Sequence, residues 1–222
     1  MRAVAGSTPL SSNVSSVEGK CLEFAGMDNA CSTFASMKEA TVKDTDSGRM
    51  VESPGWFIVN VAELSWESVP GGGIWCSFEA DHAPNEQVGI GVHVLAPDEP
   101  NGLYHAESNQ EGFLVLSGEC VAVVEGEERR LRQWDYLHCP PGTYHITVGA
   151  GKGPCAILMM GARSPDRTIH YPVDATAARY GASVARETSS PKEAYADWPR
   201  TITRERAPWP PATSARPEEP GR

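Results

Sequence analysis

The sequence predicts an all-β protein in which short strands form a sandwich or a barrel. Runs of β-branched and aromatic residues recur between turns rich in glycine and proline from residue 56 to residue 160. No long helical pattern separates these runs, so we expect antiparallel strands joined by tight turns. About ten strands are predicted, and the first two lie at Trp56–Val61 and Ile74–Phe78.

Two turns and one apolar run define the later strands. Residues 125–127 are predicted to be the tip of a hairpin, because Gly126 tolerates positive φ values. Residues 140–142, Pro-Pro-Gly, form a predicted turn that leads into a strand containing His145. The almost continuous apolar run at residues 154–160 is typical of a strand covered on both faces.

Composition divides the chain into four parts. Residues 1–52 are rich in Ser, Thr, Ala and Gly, and are expected to be a flexible, disordered N-terminal extension. Residues 53–163 contain the predicted strands. Residues 164–198 are expected to form a short helical extension, and the proline-rich residues 199–222 a disordered tail.

Charge and cysteine usage narrow the class of partner. The formal net charge is −10, and the acidic excess lies between residues 53 and 198, so we do not expect nucleic acid as a partner. We expect no membrane association, because no apolar run is long enough to span a bilayer and no signal-peptide pattern is present. The cysteines have no Cys-x-x-Cys pair and no zinc-finger spacing, which favours a reducing, cytoplasmic setting.

Four side chains are candidate ligands of a metal ion. His105, Glu107 and Glu111 lie just before an apolar strand, and strand alternation points His105 and Glu107 the same way. A bend at residues 108–110 would bring Glu111 beside them, and His145 is the fourth candidate. Two imidazoles and two carboxylates suit one divalent ion, namely Fe, Mn, Zn or Ni. Ligands on adjacent barrel strands also leave open positions at the barrel mouth, as a catalytic metal needs.

This stretch resembles the first sequence motif of the cupins, Gly-x5-His-x-His-x3/4-Glu-x6-Gly. His105, Glu111 and Gly118 match the motif in register. Glu99 stands in place of the first glycine, and Glu107 replaces the second histidine.

The second cupin motif, Gly-x5-Pro-x-Gly-x2-His-x3-Asn, has a counterpart downstream. Pro140, Gly142 and His145 match it, whereas Trp134 replaces the glycine and Gly149 the asparagine. Both motifs occur in the expected order and at compact spacing, which is a more specific signal than either motif alone.

Over residues 88–162 the chain is similar to small, single-domain bacterial cupins. The resemblance implies a double-stranded β-helix, or jelly-roll barrel, for most of residues 53–162. It implies a metal-binding protein, expected to be a metal-dependent isomerase, dioxygenase, decarboxylase or lyase acting on a small organic molecule. The alternative is a non-catalytic cupin that binds or senses a small ligand. Cupins commonly dimerise through sheet edges, and the strand at Ile74–Phe78 is the candidate edge for a homodimer.

Several residues near the motifs have alternative interpretations. Glu107 is either a ligand, a hydrogen-bonding neighbour of a ligand, or a general acid–base group with a raised pKa. His93 and His138 are expected to be core or surface residues and not ligands. Cys139 is expected to be buried and inert, and Tyr104 and Trp134 to be packing residues. We assign no catalytic residue from the sequence.

Overall fold

The computed structural model describes residues 37–80, 82–199 and 201–209. Within these ranges the chain forms fourteen strands and two short helices. The strands are β1 (Val42–Thr45), β2 (Gly48–Val51), β3 (Ser65–Ser68), β4 (Ile74–Ser77), β5 (Val88–Leu95), β6 (Ala106–Glu107), β7 (Glu111–Ser117), β8 (Glu119–Val124), β9 (Glu127–Arg132), β10 (Tyr136–Cys139), β11 (His145–Ala150), β12 (Cys155–Ala162), β13 (Ile169–His170) and β14 (Thr203–Arg206). The helices are α1 (Ala175–Ala178) and α2 (Pro191–Ala194).

The strands form one large sheet, one small sheet and two minor strand pairs. The large sheet has seven strands in the order β10-β7-β12-β5-β4-β3-β14, and the small sheet has the order β11-β8-β9. The remaining pairs are β1 with β2 and β6 with β13. Each of these strand pairings is antiparallel, which agrees with the tight turns expected from the sequence.

The core lies between the large and the small sheet. Strand residues alternate between faces, so Phe113 and Val115 of β7 point to this core, whereas Leu116 points to the outer face. The buried residues of the core are Leu95, Phe113, Val115, Cys120, Cys139, Cys155 and Ile157. The inner faces of β5, β7 and β12 therefore form one wall of the barrel interior.

A second apolar layer covers the outer face of the large sheet. Trp66 of β3 is completely buried there and packs with Val92 and Ala156. Its indole N–H donates to the carbonyl of Val61 at 3.1 Å, which satisfies the polar atom of this buried side chain. Trp209, near the end of the described chain, packs on the same layer.

Two expectations about early strands are wrong. Trp56–Val61 forms no regular strand, and Trp56 makes only a single bridge with Glu39. Val59 and Val61 of this run pack on the outer layer without a strand partner, whereas Trp56 and Ile58 are exposed. Ile74–Phe78 is not a sheet edge, because β4 lies between β3 and β5.

The structure also differs from the expectation of disorder at both ends of the chain. Residues 42–51 form the β1–β2 hairpin, and Val51 is buried with Ala40 and Ala80. Strand β14 pairs with β3 along its whole length, and Arg204 bonds Glu67 at 2.9 Å. These elements depend on partners distant in sequence, which composition does not reveal. The expectations for residues 1–36 and 210–222 lie outside the described residues.

The predicted hairpin tip is observed, and two short helices follow the barrel strands. Glu125 and Gly126 join β8 to β9, and their φ values are 50° and 76°. A two-residue hairpin loop of type I′ requires positive φ at both residues. In the extension, α2 begins at Pro191, and Asp174 caps α1 by accepting from the backbone N–H of Ala177 at 2.7 Å.

In the part of the chain that the structure describes, no helix is both long and apolar enough to cross a membrane.

Candidate metal centre

His105, Glu111 and His145 converge in the barrel interior. Each offers one ligand atom, and these atoms lie within 4.8 Å of one another. Oε2 of Glu111 is 3.3 Å from Nε2 of His145 and 3.9 Å from Nε2 of His105. We refer to these three residues as the cluster.

Backbone pairing fixes the positions of the cluster residues. His105 and His145 form a reciprocal backbone bridge, with N–H to carbonyl distances of 3.2 Å and 2.8 Å. Glu111 opens β7 after the bend predicted at residues 108–110. The backbone N–H of Gly142, in the turn before His145, donates to the carbonyl of Glu107 at 2.7 Å. The two sequence motifs are therefore held together by main-chain bonds.

The two imidazoles present the same nitrogen to the cluster. Nδ1 of His105 bonds the carbonyl of Leu103 at 2.7 Å, and Nδ1 of His145 bonds the carbonyl of Thr143 at 2.9 Å. A carbonyl only accepts, so each Nδ1 carries the proton and each neutral ring keeps its lone pair on Nε2. This arrangement orients an imidazole for metal ligation.

Two buried atoms of the cluster have unmet bonding capacity. Nε2 of His145 and Oε2 of Glu111 are buried and have no hydrogen-bond partner among the described residues. With neutral His145 both atoms are acceptors, and they face each other at 3.3 Å. Buried acceptors in this position require a proton or a cation between them. The residues present therefore fit a bound metal ion.

The neighbours of His145 favour its protonated form when no metal is bound. Burial by itself lowers the pKa of His145, but the Cys139 side chain and the Glu111 carboxylate raise it to about 10. Burial and the charge of His145 lower the pKa of His105. Burial tends to raise the pKa of Glu111, whereas the adjacent His145 side chain lowers it overall. A cation bound at this position would therefore compete with the proton of His145.

Glu107, the fourth predicted ligand, lies beside the cluster. It is buried, and its Oε1 is 3.9 Å from Nε2 of His105. The same oxygen accepts from Nη1 of Arg167 at 2.8 Å. Burial and the charge of Glu111 raise the pKa of Glu107, and Arg167 partly offsets that rise. Glu107 therefore points to the same side of the chain as His105. Its cationic partner, Arg167, could not be predicted from the sequence.

Three further residues surround the cluster and were not predicted. Arg167 and Tyr171 come from the extension after the barrel, and the Tyr171 ring lies 5.6 Å from that of His105. Pairing of β13 with β6 brings this segment to the site, and no local sequence signal indicates that pairing. The Phe113 ring is 5.0 Å from that of His145. Strand alternation could have found Phe113, because it is two residues after Glu111.

The other residues considered from the sequence lie outside the cluster. His93 and His138 are not members of the cluster. Cys139 is buried, and the Tyr104 hydroxyl accepts from the N–H of Gly126 at 2.8 Å within a packed environment. The expectation for Trp134 is wrong, because its side chain is 68% exposed.

An antiparallel jelly-roll barrel with two histidines and a glutamate turned into its interior defines a class of β-barrel proteins with a candidate metal centre. The sequence model of the cupin domain matches residues 91–161, which span β5, the cluster and most of β12. These residues therefore form a cupin domain, and the fold is the all-β cupin jelly roll predicted from the motifs.

The chain is similar to several solved structures. One is a sugar phosphate isomerase of the cupin superfamily from Silicibacter pomeroyi, with 20% identity, 64% of this chain and 82% of that chain covered, and a TM-score of 0.42. KdgF from a Halomonas species has 23% identity, with 51% and 98% covered and a TM-score of 0.42. The polyketide cyclase RemF from Streptomyces resistomycificus has 15% identity, with 50% and 83% covered and a TM-score of 0.44. No curated protein matches the sequence of this chain.

Proposed function

We propose that this cupin is a metal-dependent enzyme that acts on a small organic molecule. One divalent ion is held by His105, Glu111 and His145, with Glu107 as the fourth ligand. The observation that carries this proposal is the pair of buried, unpartnered acceptors, Nε2 of His145 and Oε2 of Glu111, 3.3 Å apart. A divalent cation would satisfy both atoms and the lone pair of His105 together.

The donor set fits Fe, Mn, Zn or Ni, because imidazole and carboxylate are ligands that these ions share. The ionised Glu107 and Glu111 would balance the charge of the ion. Arg167 does not prevent ligation by Glu107, since ligating carboxylates commonly accept a hydrogen bond as well. The Arg167 guanidinium instead orients that carboxylate and partly offsets the rise of its pKa.

The cavity next to the cluster suits a small molecule. It has a volume of about 230 Å³ and is lined by the cluster, Phe113 and Met159. When bound, the ion would act as a Lewis acid on a carbonyl or carboxylate oxygen of the substrate, or would bind dioxygen. Phe113 and Tyr171 shield the histidine rings from water, which strengthens electrostatic interactions at the site. The reaction classes that we propose are isomerisation, dioxygenation, decarboxylation and lyase-type cleavage.

One observation favours a non-catalytic ligand-binding or sensing cupin as the second candidate. Arg163 and Glu79 line the same cavity, and two hydrogen bonds of 2.7 Å and 2.9 Å join them. A neutralised pair of this kind contributes shape and polarity more than reactivity. A binding protein would show saturable ligand affinity without turnover, whereas an enzyme would lose turnover in His145→Ala while its barrel still folds.

Metal analysis tests the proposed centre directly. The full chain is purified without chelators, stripped, and reloaded separately with Fe(II), Mn(II), Zn(II) and Ni(II). We expect about one ion per chain from at least one metal, as for a single-ion site. Glu111→Ala and His145→Ala are expected to lose it, and His138→Ala is the control because His138 is exposed and outside the cluster. No stoichiometric metal after reloading, or equal loading of all variants, would contradict the proposal.

We also propose a cytoplasmic location. The four cysteines in the described part of the chain are free and buried, which is compatible with a reducing compartment. Localisation of a tagged full-length protein in its native host tests this proposal, and recovery in an oxidising compartment would contradict it. A small molecule is the proposed partner, and nucleic acid and membranes are not.

A homodimer through the β10 edge of the large sheet is the proposed assembly. Tyr136 of β10 is 55% exposed, and the neighbouring Trp134 is 68% exposed. Large apolar side chains beside an open strand edge favour self-association. Light scattering should give the dimer mass for the native chain and the monomer mass for Tyr136→Asp. A monomeric native chain would exclude this assembly.

A further inference from the structure

A second pocket adjoins the inner face of β4 and β5, where the segment after α2 covers it. Its volume is about 380 Å³, within the range of small-molecule sites. Its principal side chains are Trp75, His93, Tyr195, Trp198 and Ile202, and none of its described lining residues is charged. We call it the aromatic pocket.

Flat rings form the walls of the aromatic pocket. Trp75 and His93 are cross-strand neighbours, and their rings stack at 5.9 Å with an interplanar angle of 21°. On the opposite side, Tyr195 and Trp198 meet edge to face at 5.5 Å and 73°. Walls of this shape favour a planar ligand, because a flat group contacts a ring face over its whole area.

His93, which lines this apolar site, has one polar atom without a partner in the described part of the chain. Nδ1 of His93 is buried and has no hydrogen-bond partner among the residues that the structure describes. Burial lowers the pKa of His93 to about 4, so the ring is neutral at physiological pH. A neutral imidazole can form a hydrogen bond with a polar substituent of an uncharged ligand, and a ligand of that kind would satisfy the orphaned atom.

The aromatic pocket adjoins the cavity at the metal centre. His93 and Asn101 line both spaces. Nδ2 of Asn101 contacts the sulfur of Met159 at 3.3 Å, and Met159 lines the cavity beside the cluster. The two spaces are therefore neighbours in the fold.

We propose that the aromatic pocket binds an uncharged, planar group of the substrate, aromatic or conjugated, with a polar substituent hydrogen-bonded to His93. An oxygen function of the same molecule would face the metal centre. The second statement rests on the proposed function, whereas binding of the planar group does not. The substrate class is thus a small aromatic or conjugated compound that carries oxygen.

Binding of 2-naphthol to the full chain tests the pocket. This probe is planar, uncharged at neutral pH, and bears one hydroxyl group. Its saturated counterpart, decahydro-2-naphthol, has the same hydroxyl on a thicker, non-planar frame and is the ligand control. Calorimetric titration should give saturable binding of 2-naphthol at least about tenfold tighter than that of the saturated alcohol. Equal affinities would overturn the assignment of a planar ligand.

Substitutions locate the bound probe. Trp198→Ala removes one wall and should weaken 2-naphthol binding about tenfold or more. Ile202→Trp fills the pocket from a position that is 56% exposed, so it should block binding without unfolding the barrel. His93→Phe keeps a ring and should weaken 2-naphthol binding about two- to tenfold through the lost hydrogen bond.

Trp56→Ala, at a half-exposed position away from the pocket, is the matched control. Unchanged affinity in Trp198→Ala and Ile202→Trp would overturn the site.

A further measurement separates this inference from the metal centre. With Mn²⁺ loaded, the ring protons of bound 2-naphthol should relax faster than with Zn²⁺, because Mn²⁺ is paramagnetic and the two spaces adjoin. His145→Ala should still bind 2-naphthol. Metal binding without 2-naphthol binding would refute the aromatic pocket and leave the metal centre intact. Binding of 2-naphthol by a chain that takes no metal would retain the pocket and refute the proposed function and the oxygen function facing an ion.

Discussion

The hydroxyl of Tyr195 accepts a hydrogen bond from the backbone N–H of Leu103 at 3.0 Å, although the two residues are 92 positions apart. The carbonyl of Leu103 in turn bonds Nδ1 of His105 at 2.7 Å. The extension after the barrel is therefore fastened to the residue that orients a cluster histidine. Tyr195 of the aromatic pocket and the candidate metal ligand His105 are therefore both hydrogen-bonded to the backbone of Leu103.

Tyr195→Phe is expected to loosen His105. The change removes the hydroxyl that satisfies Leu103, which should cost about 1 kcal/mol of unfolding free energy. It should also weaken metal binding several-fold, because the support of a ligand's orientation is reduced. Urea unfolding and metal titration measure the two effects. Tyr136→Phe, at an exposed position in β10, is the control and should change neither. Unaltered metal affinity in Tyr195→Phe would contradict the coupling.

Glutamine substitutions should rank the two carboxylates. Glu111→Gln is expected to abolish stoichiometric metal binding, because Glu111 lies at the centre of the cluster. Glu107→Gln should weaken binding, and Arg167→Gln should do so about tenfold through the lost orientation of Glu107. Competition with a fluorescent chelator gives the affinities, with the exposed Glu205→Gln as control. If Glu107→Gln binds metal like the native chain, Glu107 is not a ligand.

Metal affinity should rise with pH. The pKa of His145 is raised from 6.5 to about 10 in the metal-free protein, so the ion must displace a proton below that pH. Apparent affinity should therefore increase by about tenfold per pH unit from pH 6.5 to pH 8.5, with about one proton released per ion. Titrations in buffers of different ionisation enthalpy measure that release. A flat pH profile would show that His145 is not the protonated group.

The same proton makes a separate prediction about stability. Because the folded-state pKa of His145 exceeds the unfolded value, its contribution to stability is complete below pH 6.5 and is lost as pH rises through about 10. Metal-free protein should consequently become less stable over this range, and bound metal should reverse the trend. Thermal unfolding with and without ion measures it. His145→Gln should remove this pH-dependent part of the stability. If the pH dependence persists in that variant, it arises from a group other than His145.

Thr147→Val is expected to stabilise the barrel. The Thr147 hydroxyl is completely buried and has no hydrogen-bond partner among the described residues. Valine has nearly the same shape without the cost of burying that hydroxyl, so unfolding free energy should rise by about 1 kcal/mol. Thr176→Val is the contrasting control, because the Thr176 hydroxyl donates to the carbonyl of Gly126 at 2.8 Å and its loss should destabilise. A lower melting temperature for Thr147→Val would contradict the prediction.

Local spacing was enough to predict the cluster but not its surroundings. His105, Glu111 and His145 were predictable because a strand face, a bend and a Pro-Pro-Gly turn are short-range features. Arg167 was not, because it reaches Glu107 from 60 positions further along the chain through the pairing of β13 with β6. Strand pairing between distant segments leaves no periodic signal in a single sequence.

The same distinction explains the errors in the fold. Trp56–Val61 has the composition of a strand, but Val59 and Val61 pack on the outer layer and the run has no regular pairing. Conversely, β14 consists of Thr, Arg, Glu and Arg, a composition that predicts a solvated tail. This segment is a strand because it pairs with β3. Apolar patterning identifies what is buried, whereas strand partners are decided by the tertiary structure.

The position of β14 affects how readily the protein aggregates. This strand is exposed along its whole length and forms one edge of the large sheet, with charged side chains that discourage further strand addition. A shortened chain ending at Pro199 would uncover the backbone donors and acceptors of β3 and the apolar layer around Trp66. Such a chain is expected to aggregate by intermolecular β-pairing even though every candidate metal ligand is retained. The charged terminal strand thus serves as a solubility element, separate from the chemistry of the barrel interior.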